Sequence, residues 1–286
     1  MPQPLDPSRR HVACWLTFET DAEASIALQV AVAPSAGVLV QERLVLTIDD
    51  RPVAPVAELA GELGGRIHVV EPGAGTLRLT YEATLDPATA PSSATSPAGG
   101  SPELARDPRA IAALHPSAYC RSDLLAGFAA AELGALREQP DLPQAVASWV
   151  FERLAYEPGA SGPLDSAVHT LLTNAGVCRD FAHLAITLLR ALGLPARLVA
   201  VYAPGLTPMD FHAVVEVFAD GGWHVLDPTR LAPRPTLVRI ATGRDAADTA
   251  FATTLRGSAE LVASDVSAVT DGILPLDDHH AVTPLP

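Results

Sequence analysis

Residues 86–102 consist almost entirely of Pro, Ala, Ser, Thr and Gly, with hardly a large apolar side chain among them. Such a stretch cannot bury a core, so it reads as a linker separating what folds before it from what folds after it. The chain has 286 residues, 48% of them hydrophobic, which is enough for one large domain or two modest ones. The boundary falls near residue 95. Residues 1–90 are expected to form an N-terminal β-rich domain, 91–104 a linker, 105–274 a catalytic domain and 275–286 a flexible tail. No internal repeat is present.

The two sides of the linker carry different periodicities. Val12–Phe18, Ser25–Val32, Leu44–Ile48, Arg66–Val70 and Thr76–Ala83 are short β-prone runs punctuated by Asp-Asp, Gly-Gly and Pro-Gly pairs, as in an antiparallel all-β unit. Helical patterns follow the linker. Ser122-Asp123 opens one, Asp141 with Pro143 a second, and Asp165-Ser166 a short third ending before Asn174. A fourth runs from about Cys178 to Leu192 and stops at Gly193 and Pro195, with Phe181, Leu184, Ala185, Leu188, Leu189 and Leu192 as an apolar stripe. Strands return at 197–202, 211–218 and 223–226, with weaker ones near 237–240 and 261–266. Helices first and antiparallel strands after make the second unit α+β.

A formal net charge of −14 with no basic block argues against nucleic acid or an anionic membrane as partner. All 19 cationic residues are arginine, so the chain offers no lysine amine of its own. Cys14, Cys120 and Cys178 are too few and too scattered for a disulfide framework, which suits a reducing compartment. The N-terminus has no apolar core of a secretory signal, and no stretch reaches membrane-spanning length. The expectation is a cytoplasmic protein.

Chemistry concentrates in three places. Cys178 follows a glycine-led turn and begins a helix, where unpaired backbone N–H groups and the positive end of the macrodipole favour a thiolate. The same amides could hold an oxyanion. A buried cysteine acting as a small hydrophobe is the competing reading, because Cys178 also lies on the apolar stripe. His212 and Asp227 flank a hairpin whose turn contains Asp220-Gly221. With an even-length loop, opposing positions sum to an odd number, as 212 and 227 do, so both side chains project from one face as diagonal neighbours with backbones roughly 7–8 Å apart. Asp227 then orients the imidazole and His212 pairs with the thiol.

Gly176-Val-Cys-Arg-Asp-Phe-Ala-His-Leu-Ala, Asp210-Phe-His-Ala-Val-Val-Glu-Val and Gly222-Trp-His-Val-Leu-Asp-Pro-Thr resemble the three motifs of the bacterial transglutaminase-like family, related to papain-like cysteine proteases. His115–Asp123 and Thr242–Phe251 are similar to further stretches of such proteins, and the resemblance spans about residues 110–270. It implies Cys178 as nucleophile, His212 as general base and acid, and Asp227 as orienter, with a β-domain in front of a core of helices on an antiparallel sheet. Val214 stands where many members have tryptophan, which is expected to alter the wall of the acyl tunnel. Tyr156 is the candidate for a second oxyanion donor; a packed helix-end aromatic is the other reading.

The implied reaction is attack of Cys178 on a protein or peptide amide, at a glutamine side chain or a peptide bond, giving a thioester that water or a second amine resolves. An amidase or protease is favoured. A small-molecule acyltransferase using the same three residues and a non-catalytic binding scaffold are the alternatives. No cofactor is expected. No metal is expected either, because Cys178 and His183 are five apart on a helix and Cys120, His169 and His183 have no recognised zinc spacing. His224, Arg179 and Asp180 read as packing or local first-turn contacts, and His279-His280 as solvated.

Overall fold

The computed structural model describes residues 9–87, 107–139 and 141–285; the linker expected at 91–104 lies outside the described residues. The front of the chain is all strand: β1 (Arg10–Thr20), β2 (Ser25–Leu28), β3 (Val38–Ile48), β4 (Arg51–Val53), β5 (Ala57–Ala60), β6 (Arg66–Val70) and β7 (Gly75–Asp86). Next come α1 (Pro108–Ala112), α2 (Ser122–Leu133), α3 (Leu142–Arg153), β8 (Ala155–Tyr156), α4 (Ala167–Thr173), β9 (Ala175–Gly176) and α5 (Cys178–Ala191). The chain then returns to strands, β10 (Ala196–Tyr202), β11 (Phe211–Ala219), β12 (Gly222–Leu226) and β13 (Val238–Gly243), and ends with α6 (Ala246–Thr249), β14 (Ala252–Arg256) and β15 (Ala259–Thr270).

Side chains two apart share one face of a strand, and the front sheets follow that rule. Val12, Cys14, Leu16 and Phe18 of β1 are buried, as are Leu77, Leu79, Tyr81, Ala83 and Leu85 of β7. The strands pair antiparallel with Cys14 opposite Tyr81 and Leu16 opposite Leu79. Two antiparallel sheets, ordered β15-β1-β7-β3-β4 and β14-β2-β6-β5, enclose a common core with Ile26, Leu28 and Val70. This is the N-terminal all-β unit expected from the sequence, built as a sandwich.

The sandwich is not made from the N-terminal segment alone. β15 pairs with β1 along its whole length, and β14 pairs with β2. Both strands fall inside 105–274, the stretch assigned on sequence to the second domain, so the chain leaves the sandwich, builds the core and comes back. Pairing satisfies the second edge of β1, an eleven-residue strand, and brings Val266 and Ala268 into the sandwich core. Local patterning misses this because most of β15 is exposed and its partner lies more than two hundred residues away.

The rear unit is a helical layer on a four-stranded antiparallel sheet ordered β12-β11-β10-β13. Its axis is α5. Every residue from Asp180 to Arg190 is buried, a wider burial than the apolar stripe alone requires. The polar side of α5 is covered as well. Arg190 donates to the backbone oxygens of Ala196, His115 and Arg244, and His183 is stacked on Tyr119. Tyr202 ties the two units together, since its hydroxyl donates to Val30 O at 2.8 Å and its ring stacks on Tyr81.

The segment expected to be a flexible tail is anchored through residue 285. Arg234, 1% exposed, makes a two-pronged ion pair with Asp277. Thr283 O accepts from Val225 N–H on the outer edge of β12, and Leu285 is buried beside Val199, Val201 and Val214. The polar composition of 275–286 resembles a loose end, but an Asp paired to a buried guanidinium and a single well-placed Leu are enough to hold it.

Candidate active site

The turn before α5 is shaped by close approach. A Cβ on Gly176 would lie 2.6 Å from Asp180 Cβ, so only glycine fits. Asp180, three residues past the helix cap, accepts from Val177 N–H at 2.9 Å and satisfies one of the donors left open at a helix start. Arg179 bridges the same turn to Ser161, Gly162 O and Asp180. Cys178 is thereby held at the first position of the helix, half-buried, while Cys14 and Cys120 are fully buried.

The hairpin of β11 and β12 has the even loop required for His212 and Asp227 to share a face. Ala219 pairs with Gly222, leaving Asp220-Gly221 as the loop, both with positive φ. His212 and Asp227 are buried and meet, with Nε2 to Oδ2 at 3.0 Å. The other carboxylate oxygen of Asp227 accepts from Thr229 N–H at 2.9 Å and from its hydroxyl at 2.6 Å. Both oxygens are therefore engaged. Sequence reasoning gave Thr229 no role, although Asp-Pro-Thr is a spacing at which a side chain can turn back on the aspartate.

Burial opposes the charged form of His212, but Asp227 and then Cys178 outweigh it and raise the imidazole to about 10. The same exchange holds Asp227 below the usual carboxylate range: burial would raise it, and His212 and Thr229 lower it. A buried imidazolium beside a buried carboxylate is the lower-energy state of this pair. Nδ1 of His212 has no hydrogen-bond partner among the described residues. Cys178 is the ionisable group acting on the ring besides Asp227.

A cleft of about 470 Å³ opens over these groups, lined by Cys178, His212, Arg179, Tyr119, Phe211 and Phe251 among others. Phe211 and Phe251 stack with ring centroids 5.1 Å apart. Gln29 from the sandwich and Ala252 and Thr253 from β14 complete the wall. These contributors lie far from the three motifs in sequence, and no local signal marks them.

Tyr156 sits beside the nucleophile because β8 pairs in parallel with β9, placing Tyr156 opposite Gly176. Burial and the neighbouring Cys178 push its phenol up to about 12, against a hydrogen bond with the Cys178 backbone that lowers it. Its ring also packs on Phe181. Both sequence readings of Tyr156 thus have a structural counterpart. Val214, expected in the tunnel wall, is instead fully buried with Val199, Val201 and Leu285, outside the cleft lining. Two residues on from His212 and on the same face of β11, it is covered by that packing instead of reaching the cleft.

The other histidines have local structural contacts. His183 is fully buried, its Nε2 accepting from Ala246 N–H, and burial lowers it to about 4, so it stays neutral. His224 contacts Ala219 O within its hairpin. His279, expected to be solvated, is half-buried near Asp277. Among the described residues, no group of three or more His, Cys, Asp or Glu side chains is arranged to hold a metal ion. Nor is any described helix long and apolar enough to cross a membrane.

A cysteine at a helix start, a strand-borne histidine and a buried aspartate, on helices packed against an antiparallel sheet, define the papain- and transglutaminase-like class of folds. Residues 129–228 match the transglutaminase-like superfamily core. The chain is similar along nearly its whole length to the crystal structure of a candidate cysteine protease from Cytophaga hutchinsonii, with 30% identity, coverage of 96% of this chain and 93% of that one, and a TM-score of 0.82. It belongs to the transglutaminase-like superfamily. An uncharacterised protein of Mycobacterium leprae is 31% identical over 146 residues, covering 48% of this chain and 52% of the relative, so the match spans about half of that protein's length. An uncharacterised protein of Mycobacterium bovis is 28% identical over 233 residues, covering 71% of this chain and 72% of the relative.

Proposed function

We propose that the protein is a cysteine-dependent amide hydrolase acting on protein or peptide amides through a thioester on Cys178. The observation that carries this reading is the half-buried Cys178 sharing a cleft with His212, whose Nε2 is held by the buried Asp227. A scaffold with a relic site would have no need of a buried His–Asp pair aimed at an accessible thiol, because burying two charges is costly unless they are used or well paired.

In the first half-reaction, Cys178 Sγ bonds to the amide carbonyl carbon, and the carbonyl electrons move onto oxygen. The Cys178 N–H and the Tyr156 hydroxyl are the oxyanion donors. His212 gives its Nδ1 proton to the amide nitrogen, the C–N bond breaks, and ammonia or an amine leaves the thioester behind. In the second, His212 takes a proton from water, whose oxygen attacks the thioester; the C–S bond breaks, releasing the acid and restoring the sulfur. An amine in place of water gives transamidation.

Mass spectrometry of a glutamine-peptide library, with and without a primary amine, separates the outcomes. Exchange of NH2 for OH reports deamidation, a new amine adduct reports transamidation, and shortened peptides report proteolysis. Whichever change occurs is expected to vanish in Cys178→Ala. Changes that persist in that variant, or a library left untouched by the wild-type protein, would sink the proposal.

A further inference from the structure

We infer that the free edge of β14 is a docking strand: an extended peptide segment of the substrate adds to the β-sandwich alongside Ala252–Thr254 and is led from there into the Cys178 cleft. This inference rests on the proposed acyl-transfer function and names the form in which substrate arrives. The edge lies outside residues 129–228, the part of the chain that matches the superfamily core.

β14 is the terminal strand of its sheet, paired on one side only, with β2. The direction of its backbone groups follows from the ladder. Gln29 N–H donates to Phe251 O at 2.8 Å, so positions 251 and 29 form a hydrogen-bonded pair. Such pairs alternate along an antiparallel ladder, so Thr253 faces Ala27 in the next one. Ala252 falls between them and turns its N–H and C=O away from β2; Thr254, opposite Ile26, is the next such position, just before the register of the ladder shifts between Thr254 and Arg256. Among the described residues, no backbone group hydrogen-bonds to that outer side.

Unpaired edges invite strand addition, and folded proteins usually cover or blunt them. This protein does so in its catalytic sheet. The outer edge of β12 is occupied by the tail, with Val225 N–H donating to Thr283 O, and Arg239 O on β13 accepts from Ala33 N–H. Among the described residues, none covers β14 in this way. Residues Thr253–Arg256 are exposed, and the strand Ala-Thr-Thr-Leu-Arg contains no proline. Other strands at the margins of the sandwich are exposed too, but β14 is the one whose residues also line the cleft beside Cys178 and His212.

Strand addition supplies what the cleft by itself lacks. Its walls near the thiol are largely apolar, with Phe211, Phe251 and Ala213 offering surface but little that fixes a backbone. Main-chain hydrogen bonds to an edge strand hold a peptide in one register irrespective of its sequence, while alternate side chains meet the neighbouring surface. The apolar wall favours an apolar residue on the peptide where it enters the cleft.

The test compares two alkylating probes of Cys178. Iodoacetamide is too small to pair with a strand; a peptidyl chloromethyl ketone with a short alanine-rich peptide can pair. Thr254→Pro removes one outward N–H while leaving the ladder to β2 intact, and edge positions tolerate proline. It is expected to slow the peptidyl probe about fivefold to tenfold, the worth of one hydrogen bond, and to leave the iodoacetamide rate unchanged. Thr254→Val keeps the N–H and is expected to match wild type with both probes. Should Thr254→Pro fail to fold, N-methylation of single amides in the probe provides the same test on wild-type protein, with loss expected at alternate positions only. Equal peptidyl rates in Thr254→Pro and Thr254→Val, or no sensitivity to N-methylation, would overturn the docking strand. An iodoacetamide rate indifferent to His212→Ala would instead overturn the proposed function beneath it.

Discussion

Asp227→Asn tests whether the buried His–Asp pair activates the thiol. At 3.0 Å and an effective dielectric near 20, the attraction between imidazolium and carboxylate is about 5 kcal/mol, enough to outweigh the desolvation of the ring. Asparagine removes that charge and also one acceptor. Both oxygens of Asp227 accept hydrogen bonds, one from His212 and the other twice from Thr229, so an amide NH2 on either side would face a donor. Without the carboxylate, burial dominates and His212 loses its proton below neutrality. Loss of the imidazolium removes the positive charge next to the sulfur that favours attack, so alkylation by iodoacetamide at pH 7 is expected to slow by about tenfold. The assay is the alkylation rate from pH 5 to 10, with a melting curve to show that the variant is folded. His212 keeps its proton until about pH 10 in the wild type, so the two proteins are expected to differ most near neutrality and to converge towards that pH. A folded Asp227→Asn protein that alkylates at the wild-type rate at pH 7 would refute the reasoning.

Two further predictions concern the rest of the molecule. Burial pushes Cys14 up to about 11 and Cys120 to about 12, so native protein at pH 7.5 is expected to take up iodoacetamide at Cys178 alone, and adducts at the other two in intact-mass and peptide maps only after unfolding in urea. Asp277→Ala leaves Arg234 buried without its carboxylate and is expected to cost about 3 kcal/mol or more, read as a lower urea midpoint. Against its own burial, Asp277 is held well below the usual carboxylate range by Arg234, so its contribution is present above the unfolded value near 3.8 and lost as pH falls through the lower folded one. The difference between wild type and Asp277→Ala should therefore shrink in acid; a gap that stays constant from pH 7 to pH 2.5 would argue that Asp277 acts through packing alone.

Much of the site could be read from the sequence because its signals are short-range. A glycine followed by a cysteine at a helix start, and the parity of a two-residue hairpin loop, are fixed by local backbone geometry. They placed Cys178, His212 and Asp227 before any tertiary contact was known. Tyr156 follows α3 closely enough to be read as a helix-end aromatic, and in the structure it lies in β8, the short strand that pairs beside Gly176. Thr229 was visible in sequence but unassigned. Val214 does not reach the cleft although it shares a face of β11 with His212, because how far the cleft extends along that face depends on long-range packing, and there Leu285 arrives from the far end of the chain.

The sequence by itself determined the class of fold, most of the longer elements in their order and a candidate triplet of residues, because hydrophobic period, caps and turn chemistry act over a few residues. Only the tertiary structure decided that β14 and β15 rejoin the sandwich, that the tail is pinned by Arg234 and Leu285, and that the cleft borrows Gln29 and Thr253 from outside the core. Those features arise from long-range pairing, which depends on which edge or buried charge remains unsatisfied once everything else has packed. No local pattern in the sequence records that remainder.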